Sequence, residues 1–136
     1  PSDYLPSGLA ANTHNNRSEA LFLALFAQGY TGQQPSQDWL VNTDGDEASR
    51  NTTILGTREL FEIGDEWGNP IVYFDSLHYN DRQQTIVWAG EAVIEEQEAE
   101  PVQNDKTKTF AKPNSFQLIS AGPDGLFGTD DDIHSF

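Results

Sequence analysis

The chain has 136 residues, with 22 Asp and Glu against 7 Lys and Arg, and it has neither Cys nor Met. One domain of this length builds a modest hydrophobic core. A net charge of −15 repels nucleic-acid phosphates and anionic lipid heads, and the lack of Cys excludes disulfides and thiolate metal sites. Cations and basic protein surfaces are the partners such a surface attracts.

In chain order, residues 1–12 carry two prolines and a glycine and read as an irregular lead-in, with Pro6-Ser7-Gly8 a turn. Pro1 in place of Met points to a processed or trimmed chain. Residues 15–28 are the expected helix. Asn15, Asn16 or Ser18 can cap its start, Ala20 to Ala27 run on with hardly a polar break, and Gly29 stands where a left-handed C-terminal residue belongs. A helix apolar on nearly every side is expected to be buried on nearly every side, against the sheet. The run is far short of the ~20 apolar residues of a membrane span.

Asn42 to Glu47, NTDGDE, places Asn42, Asp44 and Asp46 at the first, third and fifth positions of a helix–loop–helix calcium loop. Glu47 stands where that loop needs Gly, and Thr53 where it needs a bidentate Glu, so the stretch reads as a solvated turn. Gly68-Asn69-Pro70 is a strong turn signal. The β-rich runs 71–74 and 85–89 are expected to pair as an antiparallel hairpin. The acidic run 91–101 and the basic stretch 105–112 read as one long, mobile excursion at the sheet edge. Phe116 to Ser120 is the third strand, with Gln117 and Ile119 on one face. The sum is a single α+β domain over residues 1–136, a helix on one face of a small antiparallel sheet of about three strands.

The most specific chemistry lies after that strand, in Ser120 to Ile133, SAGPDGLFGTDDDI. Calcium takes six to eight oxygens at about 2.3–2.6 Å. Gly122, Gly125 and Gly128 let the backbone curl so that carbonyls and Asp124 face inward, and Asp130, Asp131 and Asp132 bring the chain back. If the last segment is extended, Asp130 and Asp132 share a side and Asp131 faces away. The expected ligands are therefore Asp124, Asp130 and Asp132, with Ser120 contributing an oxygen and Asp131 the alternative to Asp132. Four carboxylates within nine residues repel one another unless a cation neutralises them. Magnesium demands near-ideal octahedral geometry, and zinc would want more than the lone His134.

Two segments together resemble the pseudopilins of the bacterial type II secretion system, above all the major pseudopilin, within the type IV pilin-like family. They are Asp65-Glu66-Trp67-Gly68-Asn69-Pro70 with the strand after it, and the terminal Ser120-Ala-Gly122-Pro-Asp124-Gly125 through Gly128 to Asp130-Asp-Asp132-Ile133. Glu66 stands where that family usually has proline, and the terminal loop is shorter. The resemblance implies a pilin-like fold and structural calcium on Asp124, Asp130 and Asp132, with Ser120 opening the loop. It implies a subunit of a pseudopilus or related filament, whose partners are other pseudopilin subunits and the secretion machinery. It also implies an upstream hydrophobic helix that anchors the protein in the inner membrane, with this domain in the periplasm.

Enzyme signatures are absent from the sequence. His14, His78 and His134 stand apart, and there is no nucleophile elbow or phosphate-binding Gly loop. The terminal acids crowd into one loop, which suits a cation better than a sugar held between two carboxylates. The alternative expectation is a calcium-stabilised secreted recognition or adhesion domain that shares only the loop.

Overall fold

The computed structural model describes residues 14–48, 50–51, 53–88, 94–104 and 106–135. The lead-in expected over 1–12 lies outside them. Within them the fold is mixed α and β, with one α-helix and short antiparallel strands.

Helix α1 spans Asn16–Phe26, inside the expected range. Asn15 precedes it in the left-handed conformation, with φ 59°, and its side chain makes no capping bond. The apolar content of α1 predicted burial all round, but the packing is one-sided. Phe22 and Phe26 are buried, Leu21, Leu23 and Leu25 are half-buried, and Ala24 is exposed. The polar first turn (Asn16, Arg17, Ser18, Glu19) is buried more completely than the apolar middle. Positions 19, 22 and 26 lie three and four apart and so share one helix face. That face meets Ile63, Leu40, Leu55, Phe61 and Ile71, with the Phe22 and Phe61 rings edge to face at 5.6 Å.

The strands number seven among the described residues, where about three were expected. β1 (Leu40–Val41) pairs with β2 (Glu62–Ile63). β3 (Val72–Asp75), β6 (Phe116–Ser120) and β7 (Ile133–His134) form an antiparallel sheet in the order β3-β6-β7. β4 (Gln83–Trp88) pairs with β5 (Ile94–Ala99). Helix α1 lies against β2 and β3.

The hairpin expected between 71–74 and 85–89 does not form. Asp75 accepts hydrogen bonds from Leu77 N at 3.0 Å and His78 Nδ1 at 2.6 Å, which bends the chain into a short 3-10 turn over Ser76–His78. β3 takes β6 as its partner instead, with Val72 opposite Ile119 and Phe74 opposite Gln117. These four residues are all buried, and Val72, Phe74 and Ile119 join Tyr79 and Ala99 in a second core.

The expected edge excursion is also structured where it is described. Part of the acidic run is β5, with Ala99 buried and Glu96, Glu98 and Glu100 facing solvent. The segment after it is fastened by the fully buried Gln117. Its Oε1 accepts from Val102 N at 2.7 Å, and its Nε2 donates to the carbonyls of Val102 (3.1 Å) and Ala111 (2.8 Å). Phe110 stacks near Tyr79 at 5.3 Å, and Tyr79 donates to the Lys112 carbonyl at 2.7 Å.

Candidate metal centres

The terminal loop is closed by the sheet that precedes it. β7 folds back on β6, and Ser120 stands opposite Ile133. Gly122, at φ 74°, faces the backbone of Asp131 so closely that a Cβ there would lie 2.0 Å from the Asp131 carbonyl oxygen. Only glycine meets both demands. The β5 residue Gln97 holds the loop's middle, donating to the Gly125 carbonyl at 3.0 Å and accepting from Phe127 N at 2.9 Å.

Of the expected ligands, the structure brings Asp124 and Asp132 together around Thr129. The Thr129 hydroxyl lies 2.9 Å from Asp124 Oδ2 and 3.5 Å from Asp132 Oδ1. Backbone amides hold the other oxygens, Leu126 N on Asp124 Oδ1 at 2.9 Å and Gly128 N on Asp132 Oδ2 at 2.7 Å. Burial raises the Asp132 pKa above its ordinary value. Asp130 and Asp131 are exposed in a turn closed by Asp132 N on the Thr129 carbonyl at 3.2 Å. The chain there is not extended, so the alternation that paired Asp130 with Asp132 has no basis in the local backbone. Asp130, Asp132 and His134 share a solvent-open groove with Arg82.

Ser120 does not face the loop alone. Its hydroxyl donates to Asp65 Oδ2 at 2.7 Å and accepts from Gly122 N at 3.1 Å. The second Asp65 oxygen accepts from Trp67 N and Asn69 N, each at 2.9 Å, and so shapes the turn whose Gly68 has φ 81°. One carboxylate therefore builds the WGNP turn and anchors the start of the terminal loop.

A different group of acids meets the geometric demand of an ion. Oxygens bound to one calcium at about 2.4 Å lie no more than about 4.8 Å apart. Among the described residues, one group of three or more potential ligand side chains satisfies this, Glu19, Asp44 and Asp46, whose ligand atoms lie within 4.8 Å of one another. The stretch NTDGDE is thus no solvated turn. Asp46 is 7% exposed and Asp44 half-buried, because the loop folds under the first turn of α1. Asn42 shapes it, accepting from Gly45 N at 2.9 Å and donating to the Asp46 carbonyl at 3.1 Å.

Glu19 and Glu62 are both fully buried. Neither carboxylate oxygen of Glu19 meets a hydrogen-bond donor, and the carboxylates of Asp44 and Asp46 lie beside it. Burial pushes its pKa up to about 11, with the charges of Asp46, Asp44 and Glu62 adding to the effect. Glu62 Oε1 accepts from Asn15 Nδ2, from Thr43 N at 3.2 Å and from Thr43 Oγ1 at 3.1 Å, whereas Oε2 has no partner. Burial, then the charge of Asp44, pushes the Glu62 pKa up to about 9. Burial also raises Asp44. Asn15 links the cluster to the hairpin, because its Oδ1 accepts from Ile86 N at 3.0 Å.

The expected site missed this cluster because its ligands come from two separate parts of the chain. The signal was present: Glu19 falls on the helix face of Phe22 and Phe26, where a carboxylate is buried along with the rings. Comparison with protein-family models, with curated proteins and with solved structures gives no match.

Proposed function

We propose that this domain is the head of a pseudopilin-like filament subunit, and that calcium in the terminal loop fixes the surface through which it assembles. The observation that carries this reading is the bond between Ser120 and Asp65 at 2.7 Å. The two motifs that resemble the pseudopilins lie far apart in sequence, yet they form one unit in which the WGNP turn buttresses the mouth of the loop. A chance similarity in either stretch would not require the other beside it.

The loop's donor set suits a hard cation. Asp124 and Asp132 converge on Thr129, the curled backbone from Ala121 to Leu126 offers carbonyls of which those of Gly122, Gly125 and Leu126 already accept one bond, and Asp130 and Asp131 supply further carboxylates at the open side. Calcium bound there neutralises charges that otherwise repel, and it stiffens the acidic end of a loop whose middle Gln97 already holds. The pilin-like architecture is part of the proposal. The filament-forming helix would lie upstream of α1 as a separate element, since Asn15 in the left-handed conformation interrupts any helix entering α1.

The reading is tested by the coding sequence before Pro1 and by assembly of the complete protein. A short basic leader followed by ~20 apolar residues is expected. The full-length protein should form filaments that Asp124→Ala disrupts, as seen by electron microscopy of sheared surface fractions. A cleavable signal peptide directly before this domain, or filaments indifferent to Asp124→Ala and to chelator, would overturn it.

A further inference from the structure

We propose that Glu19, Asp44 and Asp46 form a second, buried calcium site that staples the first turn of α1 to the loop preceding β2. It uses none of the terminal-loop residues and does not depend on the filament reading.

Three observations converge. The carboxylate atoms of the three residues lie close enough together to share one ion. Glu19, fully buried, brings a carboxylate oxygen into this cluster, and neither of its oxygens meets a donor. Glu62, also fully buried, keeps one unpartnered oxygen beside the cluster while Asn15 and Thr43 hold the other. A buried carboxylate without donors is costly, and neighbouring carboxylates add to that cost unless a cation compensates them. A fold that merely tolerated Glu19 here would give it amides or hydroxyls, as the terminal loop does for Asp124 and Asp132.

The donor chemistry selects the ion. All three ligands are hard carboxylate oxygens, with no His in the group and no Cys in the chain, which disfavours zinc and softer metals. Three clustered carboxylates with irregular spacing suit calcium, whose coordination is flexible, better than magnesium, which holds to an octahedron and keeps most of its water. Asp44 is half-buried as a residue, with both carboxylate oxygens turned inside. Asn15 and Thr43 hold Glu62 at the edge of the site.

Calcium titration by calorimetry of the metal-free domain tests this, using calcium chloride as the probe. The wild type should bind two ions. Glu19→Gln should bind one, and Asp124→Ala should retain the Glu19 site. Glu19→Gln also removes an acid that the metal-free fold must hold protonated, so it should melt at or above the wild type without calcium and gain less from calcium. Asp44→Asn, at a half-buried position, repeats the test should Glu19→Gln fold poorly. Wild-type stoichiometry in the folded Asp44→Asn variant, or no calcium-dependent difference between wild type and Glu19→Gln, would overturn the proposal and show that the cluster is simply held protonated. Loss of binding in Asp124→Ala alone would leave the terminal site standing and remove this one.

Discussion

The two acidic regions use the same residue types in opposite ways. In the terminal loop, carboxylates lie at or near the surface, and the two half-buried ones are capped by Leu126 N, Gly128 N and the Thr129 hydroxyl. Under α1, Glu19 is fully buried with no donor on either oxygen. A capped acid tolerates the absence of metal, because amides and water carry its charge. A buried acid without donors must be protonated, be matched by a cation, or destabilise the fold. The difference teaches that acid-rich sequence marks a metal site poorly, and that the decisive feature is what else could satisfy the oxygens.

Calcium removal gives the largest expected effect. At a free concentration 100 times Kd, each site adds about 2.7 kcal/mol, so chelator should lower the melting temperature by roughly 10 °C or more if both sites are filled. Circular dichroism melting with and without millimolar calcium checks this. A shift about half as large, abolished by Asp124→Ala, would assign the whole effect to the capped region.

Next in size is Gly122→Ala. The new Cβ would press on the Asp131 carbonyl at 2.0 Å while the backbone sits at φ 74°, and a loss of about 3 kcal/mol or more is expected from combined overpacking and strain. Gly45→Ala in the buried region is the matched control. Its φ is 71° but nothing lies within 4 Å of the new atom, so about 1 kcal/mol is expected. Equal losses in chemical denaturation would show that the closed approach of Gly122 to Asp131 contributes nothing.

The pH response separates the regions without metal. Glu19 and Glu62 have folded-state pKa values raised above the ordinary 4.5, to about 11 and about 9. The folded state therefore holds protons that the unfolded state has lost. Stability from this source is greatest below about pH 4.5 and falls as pH rises toward the folded values. The metal-free domain should thus melt lower at pH 8 than at pH 5.5, with Asp44, Asp46 and Glu62 facing Glu19 and no cation among these neighbours. Calcium should flatten or reverse the trend, since it binds the deprotonated acids. A metal-free melting temperature that rises over this range would contradict the burial of Glu19.

Smallest is Ser120→Ala, which removes one charge-assisted bond to Asp65 and costs about 1–2 kcal/mol. It should weaken calcium binding at the terminal loop and leave the Glu19 cluster unchanged, as read by titration. Equal weakening of both would mean that the two regions are coupled through the β3–β6 sheet.

Much of the local structure was legible from residues. The apolar run marked α1, although the helix closes on an extended Ala27 rather than on Gly29, Gly68-Asn69-Pro70 marked its turn, and Phe116 to Ser120 read as a strand with Gln117 and Ile119 on one face, which the structure buries. Pairing was not legible. The run 71–74 looks ready to pair with 85–89, and only the side chain of Asp75, by bending the next residues, diverts it to β6. β5 was hidden because its outward glutamates mimic a solvated loop, whereas Ala99 and Gln97 on its other face do the packing. The Glu19 cluster escaped a search for one-loop motifs because it is made by tertiary contact. The helix spacing of Glu19 with Phe22 and Phe26 could have shown that this acid is carried inward.

The order β3-β6-β7 also has a kinetic meaning. The β4–β5 hairpin joins near neighbours and can form as soon as it leaves the ribosome. β3 must wait for a partner that follows the entire hairpin, and until then it presents an open edge carrying Val72 and Phe74. Nascent chains stalled before Phe116 should therefore be the form most exposed to aggregation and proteolysis, and synthesis of the last strands completes the central sheet at the same moment that it delivers the terminal acids.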